Sequence, residues 1–214
     1  MIIRKAKKEE VRKAEIKAIV FDIGEVLLAE NNRKTENNLV KKFNLDLDRF
    51  RKAKFKYLDR SMIRIKEDFW FEKKIAKKLN VDINNFISSW QKLMEENFEI
   101  KKDVLKIVKI LGKKGYFICS LTDVNYSHNL LRDKLGVYTH FKANFKSIEL
   151  KARKPSQRIY TLLLKKINYL PQEIVFIDDF KINLEIPKKM GVKVILFKNS
   201  KQLKKDLNKL GVRI

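Results

Sequence analysis

Five short apolar runs constrain this chain most: KAIVFD (17–22), YFICS (116–120), HFKANF (140–145), EIVFID (173–178) and VKVILF (192–197). Most are near-continuous rather than alternating, the pattern of parallel strands covered on both faces. After about residue 100, helical periodicities fall between them, as in Val104, Ile107, Val108 and Leu111, then Ile159, Leu163 and Ile167, then Leu203, Leu207 and Leu210. Strand and helix alternate, which predicts an α/β fold on a doubly wound parallel sheet.

The interval from about Asn31 to Ile100 breaks the alternation. It reads as strand-free, with amphipathic helical segments such as DLDRFRKAKFKYL, KEDFWFEKKIAKKL and INNFISSWQKLMEEN. Because loops longer than about 12–15 residues are uncommon, this interval is expected to be a helical unit inserted after the first strand. The chain of 214 residues then divides into an α/β core, 1–30 and 101–214, and a helical insertion, 31–100. Trp70, Trp90 and Phe98 in the insertion could line a site, although aromatic residues on helices more often fill a core.

A formal charge of +24 attracts nucleic acid, anionic lipid and phosphorylated metabolites alike, so its distribution decides. Lysine pairs such as Lys7-Lys8, Lys41-Lys42, Lys113-Lys114 and Lys188-Lys189 are scattered along the whole chain, with no cluster interleaved with stacking aromatics. Solvated helix faces are the favoured reading, and nucleic acid is the less favoured partner. No uncharged apolar run approaches the roughly 20 residues needed to cross a bilayer, so no membrane partner is expected. The start, MIIRKAKKEEVRKAE, lacks the apolar stretch of a secretory signal, which places the expected location in the cytoplasm. The basic leader, Met1 to Glu15, reads as a helix or a frayed arm. The single cysteine, Cys119, lies in an apolar run and is read as a core residue.

In open parallel sheets, ligands bind beyond the carboxyl ends of the strands. The first run ends at Asp22, the second at Ser120 with Thr122 and Asp123 beyond it, Lys154-Pro155 follows the third, and the fourth ends at Asp178-Asp179. Each residue has a bland reading as a cap, a turn former or one lysine among many. Together, in order at consecutive strand ends, they suit phosphoryl transfer. Asp22 and Asp178 could hold Mg²⁺, which favours hard oxygen ligands. The Asp22 carboxylate could then attack phosphorus, while Ser120 and Lys154 bind the oxygens on which charge is spread.

The chain resembles the haloacid dehalogenase superfamily of hydrolases through FDIGEVL around Asp22, SLTD from Ser120, SIELKARKPSQRIY containing Lys154, and IDDFKIN with Asp178, Asp179 and Asn183. The likeness covers about residues 17 to 200. SMIRIKEDFW, the Ser-x-Glu before Arg-Lys-Pro and the RIY after it resemble the helical-capped branch whose first motif is Asp-x-Gly-x-Val, which includes sugar-phosphate phosphatases. The resemblance implies a Rossmann-like sheet of order 5-4-1-2-3 and a Mg²⁺-dependent phosphohydrolase acting on a small phosphorylated metabolite through an aspartyl-phosphate. It makes Asp22 nucleophile and metal ligand, with the Gly24 carbonyl and Asp178 completing the metal set and Asp179 and Asn183 in support. Ser120 and Lys154 are catalytic and bind substrate, joined in binding by Thr122 and Asp123.

The sequence departs from that pattern at Gly24, where most phosphatases of the superfamily carry an acid/base aspartate, a loss worth typically about 10²–10⁴-fold. Glu25, Glu30, Asp123 and His128 are the candidate substitutes, and Lys151 stands where the related segment commonly has glycine. Two competing functions follow: a metal-independent haloacid dehalogenase, and a catalytically impaired binding protein of the same fold, with nucleic acid as its ligand.

Overall fold

The computed structural model describes residues 14–63 and 68–214. Most of the basic leader, with its Lys7-Lys8 pair, lies outside the described residues, as do residues 64–67 within SMIRIKEDFW. Along the chain, β1 (Ala18–Phe21) and β2 (Leu28–Glu30) precede α1 (Asn32–Lys42), α2 (Leu47–Ser61), α3 (Trp70–Leu79) and α4 (Ile83–Asn97). β3 (Phe98–Ile100) leads into α5 (Lys102–Lys113), β4 (Phe117–Thr122), α6 (Tyr126–Lys134), β5 (Ala143–Lys146) and the short α7 (Ser147–Leu150). α8 (Gln157–Ile167), β6 (Ile174–Asp178), α9 (Ile182–Lys189), β7 (Lys193–Leu196) and α10 (Ser200–Lys209) complete it.

Five strands form one parallel sheet in the order β5-β4-β1-β6-β7. All four side chains of the central β1 are fully buried, because a strand's residues alternate between faces and both faces are covered. Ile19 and Phe21 join Ile118, Val175 and Ile177 in one core, beneath the apolar stripes of α5 and α10. Ala18 and Val20 join Cys119, Leu121 and Phe176 in the other, beneath α8. Cys119 thus packs as the small core residue expected.

Among its described residues the insertion holds four helices, α2, α3 and α4 falling on the three quoted segments, and three of the four are capped at the start by side chains: Asn31 accepts from the Lys34 N–H, Asp46 from Arg49 and Asp82 from Asn85. Their apolar faces close on Trp90, whose ring centroid lies 5.9, 5.7 and 5.6 Å from those of Phe50, Phe71 and Phe86. Trp90 is mainly core. The interval is not free of strand, however: β2 and β3 pair antiparallel at its root, Leu28 opposite Ile100 and Glu30 opposite Phe98. Three residues are too few to display an alternating pattern, and LAE continues an apolar run without a break.

Glu72, on α3, looks like part of a solvated helix face in the sequence, yet it is fully buried. Neither carboxylate oxygen has a hydrogen-bond partner among the described residues. Burial pushes its pKa up to about 7, against a smaller pull from the nearby Ser127 hydroxyl. The folded state therefore holds a proton that the unfolded chain releases above its ordinary value of 4.5. Its stabilising contribution is complete below that pH and is lost as pH rises through about 7. Glu72→Gln is expected to flatten this decline and to stabilise the protein at pH 8 by on the order of 3 kcal/mol. Thermal melts of both proteins between pH 5 and 8 check it; parallel curves would refute it.

Candidate active site

The register of the sheet brings the predicted carboxylates together. Phe21 lies opposite Ile177, so Asp22 and Asp178 leave neighbouring strands side by side, and the Asp22 N–H reaches the Ile177 carbonyl at 2.9 Å. Lys154 enters from the loop before α8 and is nearly fully buried. Its ammonium lies 3.0 Å from Asp22 Oδ2 and 2.7 Å from Asp178 Oδ2. Asp22 Oδ1 accepts from the Ile23 N–H at 2.7 Å. Asp178 is held further by the Phe180 N–H at 2.8 Å and by Asn183 Nδ2, at 3.0 and 3.2 Å from its two oxygens. Tyr160, of the RIY segment, donates to the Asn183 carbonyl at 2.7 Å and so fixes α9 against α8. Asp179 completes a cluster in which oxygens of Asp22, Asp178 and Asp179 lie within 4.8 Å of one another.

Burial dominates the electrostatics of this cluster. It pushes the Asp22 carboxyl up to about 7, against the opposing Lys154 ammonium and with the help of Asp178. Burial also raises Asp179, to which Asp178 adds. The same desolvation pulls Lys154 down, but Asp22, Asp178 and Asp123 outweigh it and hold the ammonium above its ordinary value. Lys154 is therefore a fixed positive charge between two aspartates.

The strand of the second motif is longer than its sequence suggested. β4 does not end at Ser120 but runs on to Thr122. Ser120 is fully buried and donates to Asn144 Oδ1 at 2.7 Å, tying β4 to β5. Thr122 lies on the same face of the strand, two residues or about 6.6 Å further toward the carboxyl end, and its Oγ1 accepts from Arg132 Nη1 at 2.7 Å. Leu121, an apolar residue after Ser120, was the signal that the strand continues. Asp123 Oδ1 accepts the Lys154 backbone N–H at 3.1 Å, and burial raises its pKa against the pull of Lys154. Ser147, of the Ser-x-Glu, accepts the Val124 N–H at 3.0 Å and braces the same turn.

Gly24 turns the chain away from β1, with its carbonyl accepting from the Val26 N–H at 2.7 Å. A β-carbon on residue 24 would lie 3.2 Å from Arg132 Nη2 and 3.4 Å from Glu30 Oε2. These two form a buried ion pair at 2.6 Å, with Arg132 Nε also on Glu30 Oε1 at 3.0 Å. Burial raises the Glu30 carboxyl, but the Arg132 guanidinium outweighs it and holds the group below its ordinary range. Of the other candidate substitutes, Glu25 is exposed and turned away, accepting the Glu30 N–H at 3.0 Å and lying 3.5 Å from Lys101. His128 is pushed down to about 4 by burial, against the attraction of Glu30. Lys151 has φ 51°, the left-handed conformation that glycine adopts without steric cost. Arg132 is the residue that sequence reasoning missed, since NLLRDKL shows nothing beyond an ordinary basic helix.

A cavity of about 190 Å³ opens beside this pair. Glu30, Asp123, His128 and Arg132 line it from the core, and Lys54 and Trp90 from the insertion. The enclosure can hold a small anionic molecule beside Arg132; Asp22, Lys154 and Asp178 are not among its lining residues, and Asp123, which lines it and accepts the Lys154 N–H, links the two.

Residues 16–191 match the haloacid dehalogenase-like hydrolase family. The mouse (Mus musculus) bifunctional epoxide hydrolase 2 is 31% identical over 116 residues, which are 52% of this chain and 21% of that protein. The chain thus spans about a fifth of the length of that curated relative. A HAD family enzyme of Bacteroides thetaiotaomicron, solved with magnesium and inorganic phosphate, is 21% identical, with a TM-score of 0.70 over 86% of this chain and 94% of that one. The L-2-haloacid dehalogenase of Xanthobacter autotrophicus, solved with chloropropionic acid covalently bound, is 17% identical, with a TM-score of 0.61 over 91% and 83%. At these identities the two structures speak for the fold. No described helix is long and apolar enough to cross a membrane.

Proposed function

The chain belongs to the haloacid dehalogenase-like hydrolases, and on that premise we propose that it is a Mg²⁺-dependent phosphohydrolase acting on a small phosphorylated metabolite through Asp22. The observation that carries this reading is the cluster of buried Asp22 and Asp178 with half-buried Asp179, the Lys154 ammonium lying on the first two. Three carboxylates against one cation leave an excess of hard, negative oxygen donors, a set that fits Mg²⁺ and suits no soft metal. The Bacteroides thetaiotaomicron enzyme solved with magnesium and inorganic phosphate supports it.

Asp22, Asp178 and the second lone pair of the Gly24 carbonyl would hold the ion, with Asp179 in support. Bound there, Mg²⁺ would supply positive charge that screens the substrate phosphate from the Asp22 carboxylate. The chain's own groups do the rest. Lys154 holds Asp22 in place and offers positive charge to the phosphoryl oxygens. Thr122, whose Oγ1 accepts from Arg132 and donates only at 3.5 Å to the Asp123 carbonyl, can turn its hydroxyl hydrogen to an oxygen of the phosphoryl group and take the role expected of Ser120. An Asp22 oxygen attacks phosphorus and the bond to the leaving oxygen breaks; water then attacks the aspartyl-phosphate, releasing phosphate and the free carboxylate. The insertion walls the cavity and selects what enters.

The test is phosphate release from sugar phosphates, nucleotides and an aryl phosphate. Release is expected with Mg²⁺, is abolished by EDTA and returns on adding Mg²⁺ in excess. Silence across the whole panel would overturn the reading, and halide release from 2-chloropropionate without metal would move it to a dehalogenase.

A further inference from the structure

The place beside Asp22 that Gly24 leaves open is filled, and what fills it bears on the substrate. Arg132 Nη2 and Glu30 Oε2 stand 3.2 and 3.4 Å from where a β-carbon on residue 24 would lie. Arg132 is a guanidinium, effectively always charged: it can hold a departing oxygen by a hydrogen bond but gives it no proton. Glu30 accepts two N–H bonds from Arg132 on one oxygen, at 2.6 and 3.0 Å, in a pair almost wholly out of water. A carboxylate so bound is an acceptor, not an acid.

Among the described residues, Asp179 stands with the cluster that would hold the metal, and the other neighbouring groups are engaged elsewhere. Asp123 turns Oδ1 to the Lys154 N–H at 3.1 Å and Oδ2 toward Arg153 Nε at 3.8 Å, so both oxygens face the loop of Lys154. Lys54 is paired with Glu36. Glu25 reaches back to its own turn and to Lys101. His128 Nδ1 lies 2.9 Å from Asn125 Oδ1, and the ring stacks obliquely on Phe98 at 5.6 Å.

We infer that the first half-reaction runs without proton donation, and that the site is built for phosphoryl groups on weakly basic oxygens: acyl, enol, aryl or anomeric phosphates rather than simple alkyl esters. The inference rests on the phosphohydrolase reading above and narrows its substrate class. The step balances without an acid. The Asp22 oxygen forms a bond to phosphorus, the phosphorus–oxygen bond of the ester breaks, and its electron pair leaves as a carboxylate, enolate, phenolate or anomeric oxyanion, which takes its proton from solvent. A carboxylate or phenolate, with conjugate acids of pKa about 4 and 10, leaves readily. An alkoxide, close in basicity to the hydroxide of water at about 15.7, does not.

The experiment is a leaving-group series on the intact wild-type protein with Mg²⁺: acetyl phosphate, substituted phenyl phosphates, glycerol 3-phosphate, and the 1- and 6-phosphates of one hexose, which share charge and atomic composition. The expected result is a steep fall of kcat/KM with leaving-group pKa and a preference for the hexose 1-phosphate over the 6-phosphate by about 10²–10⁴-fold, the usual worth of the missing acid. A flat series, with glycerol 3-phosphate and the hexose 6-phosphate turned over as well as the aryl esters, would overturn the inference. In that case Glu30→Gln and Asp123→Asn, read only by whether the slope steepens, would show which carboxyl is the acid. Failure with every substrate, acetyl phosphate included, would instead remove the phosphohydrolase reading and the inference with it.

Discussion

Asp22→Asn is expected to lower Mg²⁺-dependent phosphate release by about 10⁴-fold or more, the scale on which removal of a nucleophile is felt, while leaving the fold intact. The substitution is nearly isosteric. The amide carbonyl oxygen would still accept the Ile23 N–H that Asp22 Oδ1 accepts at 2.7 Å, and the amide would stay beside the Lys154 ammonium. Burial already disfavours the charge on this carboxyl, so a neutral amide costs little stability. An amide, however, does not attack phosphorus. The two effects should therefore separate, with an unchanged melting temperature and no chemistry. Rapid acid quenching with labelled substrate should trap a phosphorylated wild-type chain and none in the variant. A variant that kept activity within about tenfold of wild type would show that Asp22 is not the attacking group.

What sequence reasoning could see here was set by whether a feature is local. The five buried strands declared themselves because both sides of a covered parallel strand are apolar, and Asp22 and Asp178 stood out as carboxylates closing such runs. Lys154 was reachable for a different reason, as one charged residue at the right place in the order of strand ends. Thr122 and Ser120 were harder to tell apart. They share a face of β4, and only the exact end of the strand decides which hydroxyl stands at its carboxyl end. Arg132 and Glu72 could not be found that way. Both lie in helices dense with charge, where a solvated face is the reasonable reading, and it is tertiary packing, for Arg132 against Glu30 and Thr122, that takes them out of water. The pairing of Glu30 with Arg132 joins positions 102 residues apart, and no local pattern carries such a contact.

Lys154→Met tests how much of the site's electrostatics is also structural. The ammonium stands between two buried carboxylates, at 3.0 and 2.7 Å, and breaking a buried pair by removing one partner typically costs about 3–5 kcal/mol, since the other charge is left uncompensated. For a chain of this size each kcal/mol moves the midpoint by about 2–4 °C, so Lys154→Met should melt on the order of 10 °C lower, with activity lost as well. Part of that loss should be specific to the carboxylates it exposes. Asp178 keeps the Phe180 N–H and Asn183 Nδ2, but Asp22 is left with one backbone donor beside a like charge. Adding Asp22→Asn to Lys154→Met should therefore recover stability, with a coupling of about 1–3 kcal/mol in the double-mutant cycle. Millimolar Mg²⁺ should raise the midpoint of the Lys154→Met single variant by binding the folded state and not the unfolded one. Thermal melts of the four proteins, each with Mg²⁺ and with EDTA, provide the comparison. Strict additivity of the two substitutions would mean that Lys154 stabilises the fold through packing of its stem, and that its charge is kept for the substrate alone.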